Sequence, residues 1–197
     1  MKVKQTNYLL KTLVAGGMIL AVAGGSTLAA GPEALELIKL GDPYVGIQSK
    51  DKVVQIRSEK SIASLTPDIW YVVYYDPDAT FKAVEVKFGG GQKLDVSHPG
   101  RVLELFSDDK QPLDSTKLVI DSDQALKIAT TQPMLKNLTL QASQLWLEHG
   151  DLGSQWRVEL WAAKLIDPNE SADIGTVILS ATDGSLIKVD IHPGSVD

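Results

Sequence analysis

Apolar and polar residues alternate along several stretches of the second half of the chain, a pattern that is typical of half-buried strands. The clearest stretch carries apolar side chains on one face: Trp156, Val158, Leu160 and Ala162. Three further stretches are predicted to be strands: 138–147, 174–181 and 186–191. Asp183-Gly184 indicates a hairpin between the last two. A helix is predicted to begin at Asp121, because this acidic cap is followed three residues later by Gln124. Trp156 heads its apolar face and is predicted to be a core residue.

The first half of the chain repeats landmarks of the second half. Four pairs of short segments match in the same order: 33–38 with 124–129, 70–73 with 156–159, 76–80 with 167–171, and 93–100 with 188–194. Four matches in one order predict two repeated units, at 32–100 and 121–197, joined by a linker at 101–120. The predicted fold class is α+β, with each unit formed by one helix packed on a three- to four-stranded antiparallel sheet.

The first 30 residues predict a secretory signal peptide. Three lysines precede an apolar run at 12–23, and small residues follow up to Ala29-Ala30. Cleavage there predicts a periplasmic or secreted protein with no membrane attachment once the signal is removed. The alternative is an uncleaved anchor, because the stretch 12–30 is nearly as long as the roughly 20 apolar residues that span a membrane.

Charge and cysteine content narrow the function. The chain has 25 acidic and 19 basic residues, and removal of residues 1–30, with three lysines and no acids, leaves 16 − 25 = −9. An acidic chain repels nucleic acid, so no nucleic-acid partner is predicted. The chain has no cysteine, which excludes disulfides and thiol chemistry. Stability must therefore come from a hydrophobic core.

Three features of the second half occur in an order that is known from one family. They are a helix with an Ala-Leu centre at 123–129, a strand opened by tryptophan at 156–160, and a strand, Asp-Gly turn and strand at 177–187. In these features the chain resembles the PepSY domain family. The resemblance implies a binding or inhibitory module of the bacterial envelope, one that restrains peptidases. The first half departs from the pattern, because Gly89-Gly90-Gly91 stands where Asp-Gly is expected.

Candidate catalytic and metal-binding residues are few. His98 and His192 could form a metal pair, but each precedes Pro-Gly, which favours a polar residue at the end of a strand. Asp76 and Asp167 could bind Ca²⁺, but each begins an Asp-Pro segment, which favours a turn. The usual hydrolase and nucleotide-binding motifs do not occur. We therefore predict no catalytic residue, no metal site and no cofactor.

Aromatic residues are predicted on the outer face of the sheets. Alternation places Tyr71 and Tyr75 on one face of one strand and Trp161 on the outer face of another, which it shares with Arg157 and Glu159, while Trp146 joins from a neighbouring strand. These four aromatic residues are predicted to form a partner-binding surface. The alternative is that the two units pack sheet against sheet and bury them, because large apolar residues are usually inside.

The sequence therefore predicts an exported, non-catalytic binding or regulatory protein of the bacterial envelope. Its expected partner is an envelope protein or peptide, which it binds through a sheet face. The family resemblance implies that this partner is a peptidase whose activity the protein restrains. One alternative is a periplasmic carrier that holds a small ligand in a pocket between helix and sheet. A second alternative is a carboxylate-dependent enzyme, for which no residue can be named.

Overall fold

A computed structural model describes residues 33–98 and 111–197. Eight strands are described: β1 (Val53–Ser58), β2 (Ile69–Tyr75), β3 (Ala83–Gly89), β4 (Gln92–Ser97), β5 (Leu140–Gly150), β6 (Gly153–Ala163), β7 (Ser171–Ser180) and β8 (Leu186–Ile191). The two described α-helices are α1 (Glu36–Gly41) and α2 (Ser122–Thr130). The predicted signal peptide at 1–30 and the first half of the predicted linker at 101–120 lie outside the described residues.

The predicted pair of separate helix-on-sheet units is wrong. The described strands form a single antiparallel sheet in the order β4-β3-β2-β1-β5-β6-β7-β8, accompanied by two short helices. The sheet is continuous because β1 pairs with β5, where Gln55–Arg57 lie opposite Trp146–Glu148. Without this pairing each strand would leave its amide and carbonyl groups exposed along an edge. We call the line between β1 and β5 the seam.

The helices and the core lie on one face of the sheet. Its largest fully buried side chains include Trp156, Tyr74, Phe88 and Leu37. Trp156 is 0 % exposed, which confirms the prediction that it is a core residue. Its indole N–H donates to the carbonyl oxygen of Ile120 at 2.8 Å, and the Tyr74 hydroxyl donates to that of Ile38 at 2.8 Å. Both polar groups are thus satisfied inside the core.

Asp121 explains how the two helices begin side by side. It is the N-cap of α2, as predicted, and its carboxylate accepts the N–H of Ser122 at 2.6 Å. The same carboxylate accepts the N–H of Leu35 at 3.1 Å, while the Ser122 hydroxyl accepts the N–H of Ala34 at 3.2 Å. The start of α2 therefore holds the start of α1 against the same face of the sheet.

Serine hydroxyls extend the seam beyond its backbone pairing. Ser58 Oγ accepts the N–H of Leu145 at 2.9 Å, and Ser61 Oγ accepts the N–H of Ser143 at 2.8 Å. Ser143 Oγ in turn donates to the carbonyl oxygen of Leu65 at 2.5 Å. These bonds hold the loop that follows β1 against the beginning of β5.

Candidate functional site

The face of the sheet opposite the helices carries a row of alternating cationic and aromatic side chains. Backbone pairing aligns five residues across adjacent strands: Lys87 on β3, Tyr71 on β2, Arg57 on β1, Trp146 on β5 and Arg157 on β6. Their chain neighbours, such as Val86, Ile56 and Trp156, lie in the core on the other face. We call these five residues the cation–aromatic row.

Each aromatic ring of the row contacts a cation. The Arg57 Cζ atom lies 4.2 Å from the centre of the Tyr71 ring, and Lys87 Nζ lies 5.0 Å from it. The Arg157 Cζ atom lies 4.2 Å from the centre of the Trp146 ring. These separations are within the range of cation–π attraction. Tyr71 and Trp146 are both half-buried, so part of each ring is accessible to a partner.

Carboxylates on both sides of the row orient its cations. Arg57 forms an ion pair with Glu85, and Lys87 Nζ lies 2.9 Å from an oxygen of Glu59. Glu59 also accepts the Tyr71 hydroxyl. At the other end of the row Arg157 lies 3.4 Å from one oxygen of Glu148 and 3.4 Å from one of Glu159. The glutamates that neutralise Arg57, Lys87 and Arg157 therefore also fix the positions of these cations.

The carboxylates beside the row differ in their acidity. Burial raises the pKa of Glu85, against the opposing effect of the Arg57 guanidinium. Burial likewise raises the pKa of Glu159, against the opposing effect of Arg157. Hydrogen bonds from Tyr71 and Lys87 instead lower the pKa of Glu59. The face thus combines readily ionised carboxylates with others that hold their protons more strongly than usual.

We expect the free energy of unfolding to fall as pH rises above about 4, because three buried carboxyl groups have raised pKa values. Burial raises the pKa of Glu85, Asp121 and Glu159, so above the ordinary carboxyl pKa of about 4 the folded chain binds more protons than the unfolded one. Unfolding free energy then decreases as pH rises through that window. The pKa of exposed Asp114 is instead lowered to about 2, mainly by its hydrogen bond with the Lys117 side chain. Titration of Asp114 therefore affects the free energy of unfolding only below about pH 4.

Thermal melts between pH 4 and pH 8 measure this dependence. Glu85→Gln should flatten the decline above about pH 4, because its buried carboxyl group no longer titrates. Asp114→Asn is the matched control and should leave that part of the curve unchanged. A melting temperature that rises steadily from pH 4 to pH 8 would contradict the expectation.

The structure places all four predicted partner-binding aromatics on the open face. Tyr71 and Trp146 belong to the cation–aromatic row. Tyr75 lies at the end of β2 and packs against a small buried group that includes Val73, with Lys52 Nζ 6.0 Å from its ring. Trp161 lies near the other end of the strands, on β6. The alternative of two sheets packed face to face is wrong, because β1 and β5 join edge to edge.

The cations of this face were missed by sequence reasoning. Only Arg157 was noted on the outer face, whereas Arg57, Lys87 and Lys60 also contact the aromatic rings. The alternation within each strand was a usable signal for the face on which Arg57 and Lys87 lie. Their position beside the rings depends on the register between strands, which alternation alone does not determine.

A groove of about 880 Å³ lies at the Trp161 end of the sheet. One wall is formed by the loop 60–65, the other by the turn 168–171, and the beginning of β5 contributes Leu140 and Ala142. Lys60 lines this groove and also covers Trp161, with its Nζ atom 4.2 Å from the ring centre. The groove therefore adjoins the aromatic face.

The two histidines considered as a metal pair lie beyond opposite edges of the sheet. His98 follows β4 and lies 3.9 Å from Asp76, whereas His192 follows β8 and lies 3.2 Å from Asp190. Seven strand spacings of about 4.8 Å separate these edges, so the two residues cannot share one ion. Within 33–98 and 111–197, no group of three or more potential ligating residues is present.

Comparison of the chain with protein-family models, curated proteins and solved structures finds no match. Among the helices of the described residues, none has the length and apolar character needed to cross a membrane.

Proposed function

We propose that this protein is a non-catalytic binding protein that holds a protein or peptide partner against the cation–aromatic row. The observation that carries the proposal is a half-buried Tyr71 and Trp146, each in contact with an arginine, on the face of the sheet that the helices leave open. Tryptophan, tyrosine and arginine are the residue types that contribute most to binding at protein interfaces. Here they are already oriented before a partner arrives, which reduces the entropy lost on binding.

The dimensions of the row favour a polypeptide over a small ligand. Five adjacent strands at about 4.8 Å spacing make it roughly 19 Å long. A surface of this breadth suits the contact area of a protein or extended peptide. The space between helices and sheet, where a carrier would hold its ligand, is filled by side chains such as Leu37, Tyr74 and Trp156. This packing supports the binding module over the small-ligand carrier.

The location of the protein and the effect of binding on its partner are supported by the sequence. The basic, apolar and small-residue order of residues 1–30 supports a periplasmic or secreted protein, whose partner is then an envelope protein or peptide. The PepSY resemblance of the second half supports restraint of a peptidase as the result of binding. Both parts rest on the sequence and can be tested with the same captured partner.

Partner capture from the envelope fraction tests the role of the row. We expect Trp146→Ala to reduce retention of the partner by about 30-fold or more, as for a residue that dominates an interface. Tyr44→Ala is the matched control, because Tyr44 is an exposed aromatic with Lys93 Nζ 5.4 Å from its ring centre but lies outside the row. Melting temperatures must show that both variants are folded.

The result that would contradict the proposal is retention of the same proteins by the wild type, Trp146→Ala and Tyr44→Ala. Peptidase activity of the captured fraction then tests the regulatory part. We expect added wild-type protein to inhibit that activity and Trp146→Ala to inhibit it far less. If the captured fraction has no peptidase activity, the proposal that the protein restrains a peptidase is contradicted. The proposal that it binds a partner is not affected by that result.

A further inference from the structure

The groove beside Trp161 has firmly held walls. On the side of loop 60–65, the N–H of Ser61 donates to the carbonyl oxygen of Ser143 at 2.8 Å, and the Ser61 hydroxyl donates to that of Ser64 at 2.6 Å. On the opposite side, the Gln141 amide donates to the carbonyl oxygen of Pro168 at 2.6 Å. The space between the walls is thus formed in advance of any ligand, as binding sites usually are.

The lining of the groove combines apolar and amide-like surface. Leu65, Leu140 and Ala142 give apolar surface, and Ile62, on the loop wall, is 90 % exposed. Hydroxyl and amide side chains lie among them: Ser64, Gln141, Asn169 and Ser171. An apolar side chain in the groove would cover Ile62, while peptide groups could pair with the polar side chains. The side-chain amide nitrogens of Gln141 and Asn169 already donate within the chain, to Pro168 and Asp167, so their side-chain oxygens are the groups left to accept peptide N–H groups. A plain hydrocarbon chain would bury those oxygens without donors, which costs free energy.

The charge of the groove is positive although the chain as a whole is acidic. The formal net charge of the chain is −6, yet Lys60 is the one charged residue among those described as lining the groove. Three acids are adjacent along the chain to lining residues. Glu59 pairs with Lys87 at 2.9 Å and Glu170 with Lys164 at 2.7 Å, whereas Asp167 accepts the backbone and side-chain N–H groups of Asn169 at 3.0 and 3.1 Å. An anionic group in the groove would therefore meet Lys60 with two of these three carboxylates already held by other lysines.

From these features we infer that the groove binds the C-terminal end of a polypeptide. An aliphatic last residue packs against Ile62 and Leu140, its peptide groups face Gln141 and Asn169, and its terminal carboxylate pairs with Lys60. Capture of a C-terminal carboxylate is an established mode of peptide recognition. The inference rests on the proposed function in one respect, that the partner is a polypeptide, but it assigns a site separate from the cation–aromatic row.

Fluorescence anisotropy with a defined peptide pool tests the inference. The pool consists of fluorescein-labelled decapeptides with randomised sequence that end in Leu, Ile or Val with a free carboxylate, and a matched pool has C-terminal amides. We expect saturable binding of the free-acid pool to the full chain. Amidation should weaken binding about 10- to 100-fold, the usual effect of losing a hydrogen bond between charged groups.

Two exposed groove residues allow the site to be located without disturbing the fold. Lys60→Gln should weaken binding of the free-acid pool about 10-fold or more and leave binding of the amide pool nearly unchanged. Ile62→Asp should weaken both, because it places a carboxylate where an apolar side chain is expected. Lys93→Gln is the matched control for the loss of a lysine over an aromatic ring, away from the groove. It should bind both pools as the wild type does.

Three results would overturn the inference. They are no change of anisotropy with the free-acid pool at millimolar protein, equal binding of the acid and amide pools, and displacement of bound peptide by micromolar decanoate, which would indicate a lipid site. This measurement needs no envelope partner. If the capture experiment fails, the peptide measurement still tests the groove. If the peptide measurement fails, the proposal that the row binds a partner still stands.

Discussion

Replacing Trp156 with alanine is expected to lower the free energy of unfolding by about 3–5 kcal/mol, the usual range for truncating a large buried side chain. Trp156 is fully buried between the sheet and the chain that leads into α2. The change removes its packing against the core and also leaves the carbonyl oxygen of Ile120 without its 2.8 Å hydrogen bond. Urea unfolding followed by circular dichroism measures the loss.

Trp146→Ala is the control for this experiment, because it removes the same kind of side chain from a half-buried position on the open face. We expect it to cost about 1 kcal/mol, as is common for partly exposed substitutions. The contrast between the two tryptophans separates the core face of the sheet from its open face. A cost under about 1 kcal/mol for Trp156→Ala would mean that the faces of β6 have been assigned the wrong way round.

The second large effect is expected for Gly175→Ala, at about 3–5 kcal/mol. Gly175 lies on β7 with φ +113, a conformation that residues with a side chain rarely adopt, which alone costs about 1–3 kcal/mol. A Cβ atom there would also lie 2.0 Å from the backbone carbonyl oxygen of Asp190 on β8. Backbone cannot rotate aside as a side chain can, so the two strands would have to separate, at a further cost of about 1–3 kcal/mol.

Gly153 offers a control with nearly the same backbone. Its φ is +112, but a Cβ atom at this position would meet nothing within 4 Å. Gly153→Ala should therefore cost only the backbone contribution of about 1–3 kcal/mol, the same as at Gly175. The difference between the two variants measures the close approach of β7 and β8. Equal losses in the two unfolding curves would show that the strands are not held as tightly as the structure indicates.

The local structure of the second half could be predicted because its signals are local. The strand predicted at 186–191 is β8 (Leu186–Ile191), and the predicted cap Asp121 precedes α2. The arrangement of the strands could not be predicted in this way. Whether β1 pairs with β5 or each half closes on itself depends on which edges meet, and alternation within a strand is the same in both cases. The repeat was therefore read as two units, whereas the strands join in one sheet.

The aromatic residues of the candidate site could be predicted from the sequence. The alternation of cations and rings across neighbouring strands could not. Large aromatics on a polar face, such as Trp161 beside Arg157, can be recognised from alternation. The alignment of Arg57 between Tyr71 and Trp146 requires the register of three strands at once. Loop residues such as Lys60 have no periodicity from which their position could be inferred. Sequence reasoning accordingly found the rings and, apart from Arg157, missed the cations that contact them.

The proposed binding surface is complete only after β1 and β5 have paired at the seam. Arg57 and Trp146 are far apart along the chain and become neighbours only when β1 and β5 pair. A chain that has folded on one side of the seam presents half of the row, with fewer simultaneous contacts for a partner. If the row binds a partner as proposed, binding is linked to completion of the sheet, and a partner that spans the row would stabilise the seam by mass action. The complete row is therefore present only on the fully folded chain and is absent from a partly folded one.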